Sequence, residues 1–358
     1  MIRLSPHRSA RPAQPLANLY SEVANIFVAH PKFTAIESEI DLALTLHGSD
    51  DELPCLHISG PPGIGKTTLR KRLSLKHPPV ANGRRVKIPP YPDMVADHIP
   101  LLQCEMPPEP TPKSVAMQML KALHDERWYR GSRCDLDHRL DTYLSACGTR
   151  AILVDEAQRA VDRNGTVVAD ALMDWFKARH GATGISIVFL GLGRLRYLFE
   201  QDAQIERRWN AELRMEPYHW TVQDGEKAID HQLGFVALLV AFVDSLPFAL
   251  TVDVRDYDIA KRFMYASRGV AGNIKKLLKA VAVNLMQTNK AEATMETLAT
   301  AFDKAFRKEI HSMINPFGPL WNGQDPLTPD DDTLLLRPKK STRQQLRRDI
   351  HYHLSKQG

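Results

Sequence analysis

The sequence predicts an α/β fold, a parallel sheet with helices on both faces followed by a small all-helical domain, and three observations carry that prediction. A glycine-rich turn, Gly60-Pro-Pro-Gly-Ile-Gly65, joins a short apolar run to a helical stretch. Further short apolar runs alternate with helical patterns, as strands buried on both faces do. After Met215 the strand signals vanish and helical periodicity continues alone.

In chain order, residues 1–16 carry Pro6, Pro12 and Pro15 with little periodicity and read as a flexible arm. Residues 17–216 read as the α/β domain. Leu19, Val23, Ile26 and Phe27 recur at helical spacing until His30-Pro31 stops them, and Phe33 to His47 repeats the pattern. Pro54 to Ser59 is the first apolar run; Lys66 to Leu75 is helical; Ile99 to Cys104, Ala151 to Val154 and Ile185 to Leu190 are the later strand candidates. Thr111 and Pro112 read as N-cap and first residue of a helix carrying Val115, Met119 and Leu123. Residues 217–314 read as the helical domain. Thr221 with Asp224 resembles a capping box, followed by helical patterns over Ala228–Val243, Val254–Ala266, Asn273–Met286 and Met295–Ser312. Residues 315–358 read as a Pro-rich linker and a basic tail, in which Leu346, Ile350 and Leu354 share one helical face.

Composition excludes several classes. An apolar share of 43% and a charged share of 25% over 358 residues suit a protein with a real core and rule out wholesale disorder. The longest apolar run, Leu233 to Val243, covers 11 residues, short of the ~18–20 of a bilayer span. The N-terminus has no apolar stretch of the secretory kind, and the four cysteines form no CxxC pair, so a cytoplasmic location is expected. Charge is unevenly spread. Residues 337–358 hold seven Lys/Arg and one Asp, a net +6, which leaves residues 1–336 at −1 of the chain's +5. Any contact of the body with nucleic acid must therefore use a local stripe.

Gly60-x4-Gly65-Lys66-Thr67 is a complete P-loop signature between a strand and a helix. Gly60, Pro61, Pro62, Gly63, Ile64 and Gly65 form the turn whose backbone N–H groups cradle phosphates. Lys66 neutralises β/γ charge, Thr67 offers a hydroxyl to Mg2+, and Thr68 continues the first helical turn. The strand Ala151-Ile-Leu-Val ends in Asp155-Glu156, where Asp155 suits Mg2+ and Glu156 suits a base that orients or deprotonates water. ATP with Mg2+ is the expected cofactor.

The acidic pair and the trailing helical domain resemble the AAA+ superfamily, and the chain is similar to transposition regulators of the TniB and TnsC kind, AAA+ ATPases of bacterial mobile elements. The segments that carry this are GPPGIGKTTL (60–69), LLQCEMPPEPTPKSVAMQML (101–120), AILVDEAQ (151–158) and ISIVFLGLGRLRYLFEQDAQIERRW (185–209). The resemblance implies an Arg finger reaching a neighbouring subunit's nucleotide, which points to Arg208 and then Arg207. It implies a polar sensor where this chain has Gly191-Leu192-Gly193. It also implies a second sensor in Gly272-Asn273-Ile274-Lys275, with Lys275 where Arg is common.

The same resemblance implies a ring or filament following the duplex backbone, with the matching segment starting at Lys113. Lys113, Arg130 and Arg133 are the candidates for phosphate contacts, and Arg84, Arg85 and Lys87, in a loop-like stretch, are an alternative patch. The partners implied are duplex DNA, further copies of the chain, a target-selection protein of the TniQ kind and a transposase. Two other readings share the nucleotide motifs: a helicase-loader or initiator-like ATPase, and a signalling NTPase switch without DNA.

Overall fold

The computed structural model describes residues 18–29, 31–47, 55–88, 91–162, 165–199, 211–220, 225–306 and 314–326. The expected N-terminal arm, Arg207 and Arg208, the Thr221–Asp224 capping box and the basic tail lie outside the described residues.

Five parallel strands form the main sheet: β1 (Leu56–Ser59), β4 (Leu101–Glu105), β5 (Ala151–Asp155), β6 (Ser186–Gly191) and β7 (Ala211–Arg214), in the order β4-β5-β6-β1-β7. The strand residues divide alternately between two cores. Ile152, Val154, Ile187 and Phe189 pack with α4 (Pro112–Ala122), α5 (Arg133–Ala146) and α7 (Gly165–Thr183), while Ala151, Leu153, Val188 and Leu190 pack with α2 (Pro31–Thr45) and α3 (Lys66–Lys76). Burial on both faces is why these strands read as unbroken apolar runs. β7 escapes that pattern because Ala-Glu-Leu-Arg is an edge strand, paired only with β1.

Between α3 and β4 stands an antiparallel hairpin, β2 (Val80–Ile88) with β3 (Tyr91–His98). Arg84, Arg85 and Lys87, expected in a loop, therefore lie on a strand, where Arg84 pairs with Ala96 and Arg85 with Val95. Asn82, Gly83 and Pro92 give this stretch a turn-like composition that hides its pairing.

A short α6 (Arg159–Asp162) follows β5, and a 3-10 turn (Gly193–Leu198) follows β6. The helical part comprises α8 (Gly225–Asp244), α9 (Tyr257–Ser267), α10 (Ala271–Thr288) and α11 (Met295–Ala305), which share a third core built around Phe235, Phe263, Leu277 and Phe302. The region is not wholly helical, because β8 (Ala249–Leu250) and β9 (Glu292–Ala293) pair in parallel. The last described helix ends at Ala305, with Phe306 as its C-cap, and the rest of the expected stretch, to Ser312, lies outside the described residues.

The stretch expected to begin a linker at Asn315 is instead packed against this core. Phe317 is buried with its ring 5.1 Å from that of Phe263, Trp321 lies edge-on to Tyr265, and Lys261 pairs with Asp325 at 2.9 Å. At the other end, α1 (Leu19–Asn25) buries Leu19 and Val23 in the same helical core, so it joins that unit and not the sheet. It ends at Asn25, before Ile26 and Phe27, and α2 starts at Pro31, a residue suited to a first helical position. Among the described residues no helix is long and apolar enough to cross a membrane.

Candidate nucleotide site

β1 ends at Ser59, and the chain turns between the tips of two neighbouring strands. Gly60 N–H donates to Gly191 O at 3.2 Å, and a Cβ on Gly60 would stand 2.7 Å from Met215 O, so only glycine fits. Ile64 is buried among Leu69, Val188 and Leu190 and pins the loop to the core. Gly63 (φ +79°) and Gly65 (φ +127°) hold backbone conformations that L side chains rarely adopt. Pro61 is half-buried and Pro62 exposed.

α3 then starts from Gly65, which offers no side-chain cap. Among the described residues nothing accepts from the N–H groups of Thr67 and Thr68 in its first turn, where the helix dipole favours negative charge. Lys66 Nζ donates to the carbonyls of Gly60 and, at 3.0 Å, Pro61, which holds the ammonium over the loop. Thr67 is exposed.

β6 alone separates β1 from β5, so the loop and Asp155 stand about two strand spacings apart, roughly 10 Å. Asp155 ends β5 opposite Glu105. Its Oδ2 pairs with Arg70 at 2.9 Å and its Oδ1 accepts from Glu156 N at 2.9 Å. Burial raises its carboxyl pKa above the usual range, opposed by the Glu156 N–H and by Arg70. Arg70 lies one turn beyond Lys66 on α3 and ties that helix to β5; its i+4 spacing from Lys66 was the signal available in the sequence. Glu156 has φ +57°, unusual for a residue with a side chain, and its half-exposed carboxylate accepts from Gln158 Nε2 at 2.7 Å.

The helical unit docks on the loop itself. Gly272 N–H donates to Gly63 O at 3.0 Å, and a Cβ at Gly272 would fall 2.2 Å from that oxygen. One turn further along α10, Lys275 Nζ donates to Ile26 O at 2.7 Å, at the end of α1. Burial first, then Lys279 and Lys71, lower its pKa. The described contacts of Lys275 are thus with α1 and with other lysines. At the tip of β6, Leu192 offers no polar side chain.

The candidate phosphate-contact residues do not gather into one patch. Lys113 is exposed in the first turn of α4, whereas Arg130 and Arg133 are exposed beyond its other end. α4 has 11 residues, so about 16 Å of helix lies between. The loop carrying Arg130 is rigidly supported in a way the sequence did not disclose. Buried Arg139 pairs with buried Asp125 at 2.9 Å and donates to the carbonyls of Arg127 and Arg130 at 2.9 and 3.0 Å. Among the described residues no cluster of His, Cys, Asp and Glu could hold a metal by itself.

The pattern of the family described as "Bacterial TniB protein" matches residues 22–218. No curated protein matches the sequence. Among solved structures, the chain is similar to Cdc6p from Pyrobaculum aerophilum, with 13% identity, a TM-score of 0.54, and coverage of 80% of this chain and 70% of that one. It is also similar to the Aeropyrum pernix Orc1 protein in complex with DNA, with 16% identity, a TM-score of 0.54, and coverage of 81% and 70%. These are likenesses of fold, and the fold is that of the AAA+ ATPases.

Proposed function

We propose that this chain, which belongs to the TniB family, is an ATP-dependent regulator of transposition that assembles on duplex DNA and presents a chosen target to a transposase. The observation that carries the nucleotide half is the side-by-side arrangement of an uncapped α3 start, Lys66 and the Asp155–Glu156 pair around the tip of β6. The donor set suits MgATP. Backbone N–H groups from Gly63 to Thr68 would take phosphate oxygens, Lys66 the β/γ charge, and Thr67 with Asp155 the ion. When bound, the ion would supply positive charge to offset that of the phosphates.

Asp155 would first have to exchange Arg70, whose side chain is partly exposed, for that role. Glu156 orients the attacking water and takes its proton. Arg208, with Arg207 second, completes the site from a neighbouring subunit, so hydrolysis belongs to the oligomer and is slow in the free chain. Because α10 rests on Gly63, a change in the loop on binding phosphate is felt by the helical unit. ATP is then a switch for assembly and hydrolysis a route to disassembly.

Family membership supports the DNA half, with Lys113, Arg130 and Arg133 as backbone contacts that do not read sequence. Because Lys113 is remote from the two arginines, one subunit touches two stretches of backbone or uses only one end of α4. A target-selection protein of the TniQ kind and a transposase complete the partners. The test is steady-state ATP turnover with and without a random-sequence duplex. Duplex is expected to stimulate turnover, and Glu156→Gln to abolish it while ATP binding persists. A chain that hydrolyses ATP at one rate regardless of duplex would favour a signalling switch, and one that responds only to single strands a helicase loader.

A further inference from the structure

We propose that Gln158 is a positioning residue for Glu156, and that its amide supplies the tie between this carboxylate and the tip of β6 which Leu192 has no polar group to make. The inference rests on the nucleotide-switch reading above and adds a residue to it.

Gln158 lies two residues beyond Glu156, at the start of α6, and only 3% of it is exposed. Both ends of its side chain are engaged. Nε2 donates to Glu156 Oε2 at 2.7 Å, and Oε1 accepts from Leu192 N at 3.2 Å. This fixes the amide's orientation, because a flipped group would set oxygen against carboxylate and NH2 against N–H. The site is cut to admit it: a Cβ on Gly191 would lie 2.6 Å from Gln158 Oε1. Gly191 has no left-handed backbone, so glycine is required there for space and not for conformation.

The same strand tip holds the phosphate loop, since Gly191 O accepts from Gly60 N at 3.2 Å. Gln158 thereby joins the glutamate to the residue pair from which the loop itself hangs. Arg159, a cation near Glu156, is poorly suited to the task. Arg159 Nε stands 4.0 Å from the carboxylate, while its guanidinium is drawn towards β4 by Glu105 at 2.8 Å and Met106 O at 2.6 Å. The Glu156 backbone is already in a left-handed conformation, which a residue with a side chain rarely adopts. Such a residue keeps one orientation only where its neighbours over-determine it, and here Asp155 Oδ1 takes the N–H while Gln158 takes Oε2. With Oε2 committed to the amide, Oε1 is the atom left to receive the proton of the attacking water.

Two variants of the full chain separate this role from simple packing. Gln158→Leu removes both bonds. Gln158→Glu keeps the size and the acceptor for Leu192 but sets a carboxylate against Glu156. Turnover at saturating MgATP is expected to fall about tenfold in both, with affinity for a non-hydrolysable analogue kept within about threefold. Deuterium uptake at the Leu192 amide, read without nucleotide, is expected to quicken in Gln158→Leu and to stay as in the parent in Gln158→Glu. Loss of turnover with Leu192 still protected assigns the effect to the contact with Glu156. Parent-like turnover in Gln158→Glu overturns the inference, and so does a loss of analogue affinity equal to the loss of turnover. A parent chain that neither binds the analogue nor hydrolyses ATP in the presence of duplex overturns the nucleotide-switch reading as well, which distinguishes the two failures.

Discussion

The first turns of α4, α5 and α11 and the first turn of α3 are built on opposite plans. Thr111, Ser132 and Thr294 each take a backbone N–H of their own helix, and Ser114, Asp135 and Thr297 reciprocate. Those three helix starts are closed by their own side chains. α3 starts from Gly65 with nothing comparable, yet it carries Lys66 and faces Asp155 across one strand. α10 gives a third case: its N-cap Val270 makes no side-chain bond, but Gly63 of the phosphate loop accepts from Gly272 N. Among the described residues α3 opens with no side-chain cap at the proposed phosphate site, whereas α10 opens on a donor that the loop itself satisfies.

Substitutions at the open and the closed helix starts should have very different effects. Glu156→Gln is expected to have the largest effect, a fall in ATP turnover of roughly 10²–10⁴-fold with nucleotide still bound, read by single-turnover kinetics. Lys66→Ala should weaken an ATP analogue by at least ~30-fold, the ~2 kcal/mol or more of a truncated charged contact, in a calorimetric titration. By contrast Thr111→Ala, at the closed start of α4, should leave that affinity unchanged and cost about 1 kcal/mol in chemical denaturation.

Gly272→Ala tests the junction between the two plans. In a helix with room, alanine in place of glycine would stabilise by roughly 0.5–1 kcal/mol. Here its Cβ would meet Gly63 O at 2.2 Å, so a loss of ~1–3 kcal/mol is expected, and a gain would show that α10 is not seated on the loop. The smallest effect is on DNA. Lys113→Ala should make the slope of log affinity against log salt shallower by about 0.9, one phosphate contact, whatever the sequence of the duplex.

Much of the nucleotide site was legible because its parts are contiguous. Gly60 to Thr68 follows directly on a strand and Ala151 to Glu156 is a strand with its end, and β5 and β6 announce themselves by being apolar on both faces, β1 and β4 by shorter apolar runs. What stayed hidden depends on residues distant in sequence. Gln158 gains its meaning from Leu192, Arg70 from Asp155, and Gly272 from Gly63. β7 and the β2–β3 hairpin were missed for a different reason: neither has the apolar pattern of a buried strand, one being a four-residue edge and the other rich in Arg and turn residues. Proline misled in the same way at the C-terminal side, where Pro316 and Pro319 read as linker although Phe317 fills the helical core.

On the proposed function, phosphate at α3 would govern assembly on DNA. The most direct test of this is binding of a labelled random-sequence duplex at one near-physiological salt concentration, without nucleotide, with ADP, and with a non-hydrolysable ATP analogue and Mg2+. Tight binding with the analogue, lost in Lys66→Ala and weak with ADP or no nucleotide, is the result expected. Binding that is equal in all three conditions, or survives Lys66→Ala, would contradict it.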